Sequence, residues 1–118
     1  MNLIEEKSFA FSVQVVQTVK AIRANHKEYE LTRQFVRSGT SIGANVCEAV
    51  KAQSRNDFIA KMSIASKEAN ETQYWIKLLE ATGYIGSEQS EKLKREVSEL
   101  IKILTSIVKT TQEKKDHL

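Results

Sequence analysis

Two histidines and one cysteine are the only imidazole and thiol groups that this sequence of 118 residues offers. His26 falls in a polar connection and His117 close to the last residue. Neither stands in the Glu-x-x-His pairs with which helical bundles hold two iron ions. Glu48, Glu68 and Glu71 can face one another across two helices. Without imidazole partners they predict a partly buried polar layer with Asn45, accepting hydrogen bonds from Asn45, Ser66, Tyr74 or Arg37, rather than a metal centre. Cys47 has no histidine at a motif spacing and reads as a small buried apolar residue. Arg23-x-x-His26 is too closely spaced for a helical ribonuclease, and no second polar residue completes it. No catalytic residue, metal or cofactor is therefore expected, and the chain reads as non-enzymatic. A bundle nuclease or nucleotide hydrolase would instead show metal-dependent turnover that Glu68→Ala or Glu71→Ala abolishes.

Binding chemistry is better represented. Lysine and arginine (18) exceed aspartate and glutamate (15), for a net +3. Residues 31–55 hold Arg33, Arg37, Lys51 and Arg55 against Glu48 alone, so that segment matches the whole surplus. These four cations are the candidates for contact with nucleic-acid phosphates, RNA or DNA, through counterion release. The competing reading pairs Arg33 and Arg37, one turn apart, with acids of a neighbouring helix or subunit. Basic and aromatic residues do not alternate, so binding is expected to follow the backbone with little sequence preference. Trp75 beside Tyr74 offers a ring for stacking, yet its helical position favours core or interface.

The same segment contains Ser38-Gly39-Thr40-Ser41-Ile42-Gly43-Ala44-Asn45. Each glycine costs a helix about 1 kcal/mol relative to alanine, so tertiary contact must compensate. A phosphate-cradling loop would need a Gly-Lys-Ser/Thr ending and a preceding strand, and both are missing. Close packing of another backbone is the favoured explanation.

The elements that must position these residues are helices. Phe58, Met62, Ala65, Ala69, Thr72, Ile76 and Leu79 alternate steps of four and three, as do Leu93, Val97, Leu100, Leu104, Ile107 and Thr111, and Leu31, Phe35, Gly39, Ile42, Val46 and Ala49 are likewise spaced by fours and threes. That is the seam of a left-handed bundle. The spacing predicts an all-α, antiparallel up-down four-helix bundle spanning 1–118 as one domain. Its helices are expected over about 4–24, 30–54, 56–82 and 87–114, with Asn56 as an N-cap and Gly83 as a C′ residue. At 41% apolar and 28% charged, with no proline and one cysteine, the composition excludes collagen, a disordered polymer and a disulfide scaffold. The uncharged stretch from Ser8 to Val19 is shorter than the roughly 20 residues a membrane span needs, and no secretory leader is evident. With the single cysteine, this predicts a cytoplasmic protein without membrane contact.

The first helix is apolar on two sides. Phe9, Val13 and Val16 cluster nearly opposite Phe11, Val15 and Ile22, and one core can take only one of these faces. Together with Trp75 off the third seam, the surplus predicts contacts between copies of the chain, with Phe9, Val13, Val16 and Trp75 as interface candidates.

Ser41-Ile42-Gly43-Ala44-Asn45-Val46-Cys47-Glu48, preceded by Gln34 to Arg37 and followed by Ser54 to Phe58 and Ile64 to Trp75, resembles the 23S rRNA intervening-sequence proteins. The motif is a Ser-Ile-x-x-Asn-x-x-Glu core, a basic-polar turn, then Phe and a Ser-x-x-Glu segment. Gly43 stands where relatives commonly carry proline. The resemblance implies an up-down four-helix bundle, assembly as a homopentamer, and kinship with the accessory variability determinant proteins of diversity-generating retroelements. Those proteins associate with nucleic acid and a nucleic-acid enzyme, a reverse transcriptase. No catalytic residue carries over. The function expected is a non-enzymatic oligomeric scaffold or adaptor that binds RNA through a basic surface; the alternative is a protein-interaction module with no nucleic-acid role.

Overall fold

The computed structural model describes residues 2–116, so His117 lies outside it. Four helices, α1 (Leu3–His26), α2 (Glu30–Val50), α3 (Arg55–Ala81) and α4 (Ser87–Asp116), account for nearly all of these residues, and no strand occurs among them.

Local chemistry sets the helix ends. Asn2 and Glu5 form a reciprocal capping box at the start of α1. The chain leaves α1 through Lys27 in the left-handed region (φ 52°). Glu28 then turns its carboxylate onto the first turn of α2, accepting from the N–H groups of Glu30, Leu31 and Thr32 at 2.9 to 3.0 Å. Burial pushes this acid up, but those backbone donors outweigh it and hold its pKa below the ordinary value. α2 ends at Val50 rather than continuing to about Ser54, and the N-cap of α3 is Ser54 rather than Asn56. The Ser54 hydroxyl accepts from the Asp57 N–H at 3.0 Å, which requires extended backbone at Ser54 and so excludes helix there. At the far end of α3, Gly83 adopts φ +84°, as expected of a C′ residue. Tyr84 N–H reaches Leu79 C=O and Gly83 N–H reaches Glu80 C=O, the paired bonds of a Schellman end.

Going round the bundle, α1 lies against α2, α2 against α3, and α3 against α4, with α4 returning to α1 through a thinner contact. The assembly of helices measures 53 × 22 × 21 Å. Its core uses the seams read from the spacing: Phe35, Ile42, Val46 and Ala49 of α2, Met62 to Leu79 of α3, and Leu93, Val97, Leu100 and Leu104 of α4. Phe58, Leu31 and Ile107, at the seam ends, are half-buried. From α1 the core takes Ile4, Phe11, Val15, Val19 and Ile22. The opposite stripe stays outside, with Phe9 64%, Val13 39% and Val16 40% exposed.

The small residues of α2 are where α1 comes close. A Cβ at Gly39 would stand 2.8 Å from one γ-methyl of Val15 and 2.9 Å from the other. A Cβ at Gly43 would meet the Ser8 carbonyl oxygen and Ser12 Oγ, each at 3.3 Å. Packing is therefore the physical reason for both glycines, against a side chain at Gly39 and against backbone at Gly43. Gly39→Ala is expected to destabilise by about 1–3 kcal/mol from overpacking, less about 1 kcal/mol of helix propensity regained. Urea unfolding checks this, and Gly39→Ala combined with Val15→Ala should lose less than the two single losses added together.

Candidate functional site

Arg37 is the centre of the most connected polar cluster on the surface. It leaves α2 toward α3, where Nη1 lies 3.3 Å from Glu68 Oε2 and Nη2 meets Glu71 Oε2. Glu71 also accepts from the Trp75 indole N–H at 3.0 Å, one turn along its own helix. Beneath this clamp lies a buried hydroxyl pair, Ser38 Oγ and Thr72 Oγ1, 3.0 Å apart. Thr72 Oγ1 is also 2.7 Å from the Glu68 carbonyl oxygen. The indole hydrogen bond holds the Glu71 carboxyl below its ordinary pKa of 4.5; burial opposes this, and the hydrogen bond and charge of Arg37, with Lys67, reinforce it.

The predicted polar layer thus forms only in part. Glu68 and Glu71 join through Arg37, one of the donors foreseen. Asn45 instead donates to the Ser41 carbonyl of its own helix at 2.8 Å. Glu48 is a surface acid with Lys61 at 3.4 Å. Distance along the helix explains the division: Asn45 and Glu48 lie two or three turns along α2 from Arg37, a rise of roughly 12 to 16 Å. The Ser38–Thr72 pair is not visible from spacing, because Thr72 occupies a seam position and passes for an apolar-face residue. Cys47 is exposed rather than buried. It follows Val46, whose side chain is fully in the core, and the next residue on a helix is rotated by about 100°.

The four candidate cations do not converge. Arg37 is taken by two carboxylates, as the pairing alternative held. Arg33, Lys51 and Arg55 are exposed, and among the described residues none of them forms an ion pair. Arg33 sits one turn into α2, whereas Lys51 caps its other end and Arg55 begins α3. Eighteen residues of helix separate Arg33 from Lys51, roughly 27 Å. Of the apolar candidates, Phe9, Val13 and Val16 form the exposed stripe on α1. Trp75 differs: it packs against the core while its indole N–H is held by Glu71.

The stripe borders a cleft of about 290 Å³ between α1 and α2, walled by Phe9 and Cys47 with Ser8, Ser12, Gly43 and Ala44. Among the described residues, no three His, Cys, Asp or Glu side chains gather as metal ligands. Glu68 and Glu71 already share an arginine.

A family model described as the 23S rRNA-intervening sequence protein matches residues 2–106. The chain belongs to the 23S rRNA-intervening sequence protein family. The motif from Ser41 to Glu48 lies inside this match, so the resemblance extends over nearly the whole chain. The chain is also similar to a crystal structure from Bacteroides thetaiotaomicron, a protein of unknown function from the S23 ribosomal protein family. The two share 48% identity with a TM-score of 0.89, over 91% of this chain and 99% of that one. No curated protein matches the chain. No helix among the described residues is long and apolar enough to cross a membrane.

Because the folded-state pKa of Glu71 lies below 4.5, the stability this carboxylate contributes is complete above that value. It is lost as the pH falls through the lowered pKa. Glu71→Gln is expected to cost about 1 kcal/mol near neutral pH. Urea titrations between about pH 3 and 7 should show that difference shrinking toward the acid end.

Proposed function

We propose that this intervening-sequence protein is a non-enzymatic cytoplasmic adaptor: an antiparallel up-down bundle that assembles with copies of itself and holds RNA by its phosphate backbone. The observation that carries the reading is the stripe of Phe9, Val13 and Val16, left outside a core that is already complete without it. Apolar residues scattered singly are normal on any surface. A row of three along successive turns of one helix, beside a cleft floored by small residues, is suited to close approach of another chain. The number of copies, five, is supported by the family resemblance.

The RNA part rests on Arg33, Lys51 and Arg55, which are exposed and have no carboxylate partner among the described residues. Cations spread over both ends of α2 suit a flexible polyanion better than a compact anion, and assembly would bring several copies of each together. The neutralisation of Arg37 by Glu68 and Glu71 favours the second reading, an adaptor for another protein with no nucleic-acid role.

Light scattering coupled to gel filtration tests the assembly. The expected mass is a multiple of 13.4 kDa, five-fold for a pentamer, and Phe9→Glu with Val16→Glu should reduce it while leaving the helical circular dichroism intact. A 13.4 kDa particle at micromolar concentration would overturn it. For RNA, binding at about 50 mM salt is expected to weaken steeply as salt rises. The triple reversal Arg33→Glu, Lys51→Glu and Arg55→Glu should weaken it further without changing the mass. An oligomer that ignores RNA under these conditions leaves the protein adaptor as the function.

A further inference from the structure

Counted by segment, residues 56–86 carry three basic and four acidic side chains and look unsuited to RNA. The fold separates those charges. Glu68 and Glu71 are drawn toward α2 by Arg37. Glu80 is drawn toward α4, where Lys94 Nζ donates to it at 2.7 Å and Ser90 Oγ at 2.6 Å. Asp57 lies in the first turn of α3 and is remote from the middle of the helix.

What remains on the outward side of α3 is Lys67, Asn70, Tyr74 and Lys77, all exposed. At 100° per residue these four fall within an arc of about 80°, opposite the seam of Ala65, Ala69, Thr72 and Ile76. The arc contains no acid. Glu71 lies beside it, close enough to feel the charge of Lys67, although its carboxylate is engaged by Arg37 and Trp75. Asn70 donates to the Ser66 carbonyl, which leaves its own amide oxygen free to accept.

Tyr74 is the centre of this stripe. The residue is 57% exposed, while its ring meets Trp75 edge to face with centroids 5.0 Å apart. Trp75 is in turn held by its hydrogen bond to Glu71 and by packing against the core. The tyrosine is thus a supported aromatic platform in solvent, with one lysine about 10 Å away along the axis and another about 5 Å away on the other side.

Resting on the RNA reading above, we infer that this stripe of α3 is a contact for single-stranded RNA, in which a base stacks on Tyr74 and neighbouring phosphates meet Lys67 and Lys77. Cations alone would suit any polyanion. The exposed ring between them favours a strand with unpaired bases, because stacking on an aromatic side chain is sequence-tolerant and adds to phosphate attraction. Asn70 Oδ1 supplies an acceptor for a base or ribose donor.

Trp75 makes the test direct, since it is the chain's single tryptophan and touches Tyr74. A labelled oligouridine is titrated into the full-length protein, with anisotropy and tryptophan emission read together. The expected results are a change in Trp75 emission on binding and about tenfold weaker binding for Tyr74→Ala, with Tyr74→Phe close to wild type. Lys67→Glu with Lys77→Glu should reduce the salt slope by about 1.4, corresponding to two phosphate contacts. These side chains lie outside the core, and thermal unfolding of each variant verifies that the bundle is intact.

Wild-type binding that leaves Trp75 emission unchanged and survives Tyr74→Ala would overturn the α3 contact while leaving RNA binding itself in place. No binding by the wild type overturns both. Equal competition by polyglutamate, unaffected by Tyr74→Ala, would make the stripe a general anion surface and overturn the stacking contact.

Discussion

A Cβ at position 39 would stand inside the van der Waals envelope of Val15, so the separation of α1 and α2 depends on glycine there. Gly43 extends the close approach by another turn, to the Ser8 carbonyl. Two helices brought this near must interlock in one rotational phase, because a residue displaced around either axis would strike backbone. The phase turns Phe11, Val15 and Ile22 inward and leaves Phe9, Val13 and Val16 in solvent. Exposure of that stripe is thus a packing outcome, tied to the absence of two side chains on the neighbouring helix.

The same phase of α2 sets its other flank. With Ser38 directed at Thr72, Arg37 comes over the edge of the core toward Glu68 and Glu71. The hydroxyl pair below is buried and satisfied, and the ion pair above is wet. Their energetic roles differ accordingly. The buried pair resists sliding of α2 against α3, since a shifted hydroxyl would lose its partner inside the core. The outer clamp contributes less to stability, given its solvent exposure. Its larger effect is on charge distribution: one arginine engages two acids and leaves the trio at a net −1, which removes a cation from α2 and draws both carboxylates toward α2. Lys94 draws Glu80 toward α4 on the other flank.

The seams were legible from spacing because burial on a helix is a local periodic property. Met62, Ala65, Ala69, Thr72, Ile76 and Leu79 are all buried at the positions where steps of four and three place them. Gly83 was legible for a similar reason, since its backbone demand arises within a few residues. The end of α2 was not: Ser54 and Asn56 are both competent caps, and the choice depends on where α3 begins to pack. Cys47 and Arg37 show the same limit for side chains. Residue type suggested burial for the first and left the second between a phosphate contact and an acid of a neighbouring helix; helical phase decided the one, and an acid thirty-one residues away in sequence the other.

From the sequence alone came four helices, their seams, the family and the close packing around Gly39 and Gly43, all of which follow from repeats and short motifs. It also revealed that α1 has two apolar faces, without choosing between them. Tertiary structure made that choice, joined Arg37 to Glu68 and Glu71, and scattered the remaining basic residues over both ends of α2. It also uncovered a basic, aromatic stripe in the segment whose summed charge is negative. The physical reason is that hydrophobic periodicity is written into each helix separately, whereas charge pairing and surface composition depend on which helices become neighbours and in what rotation.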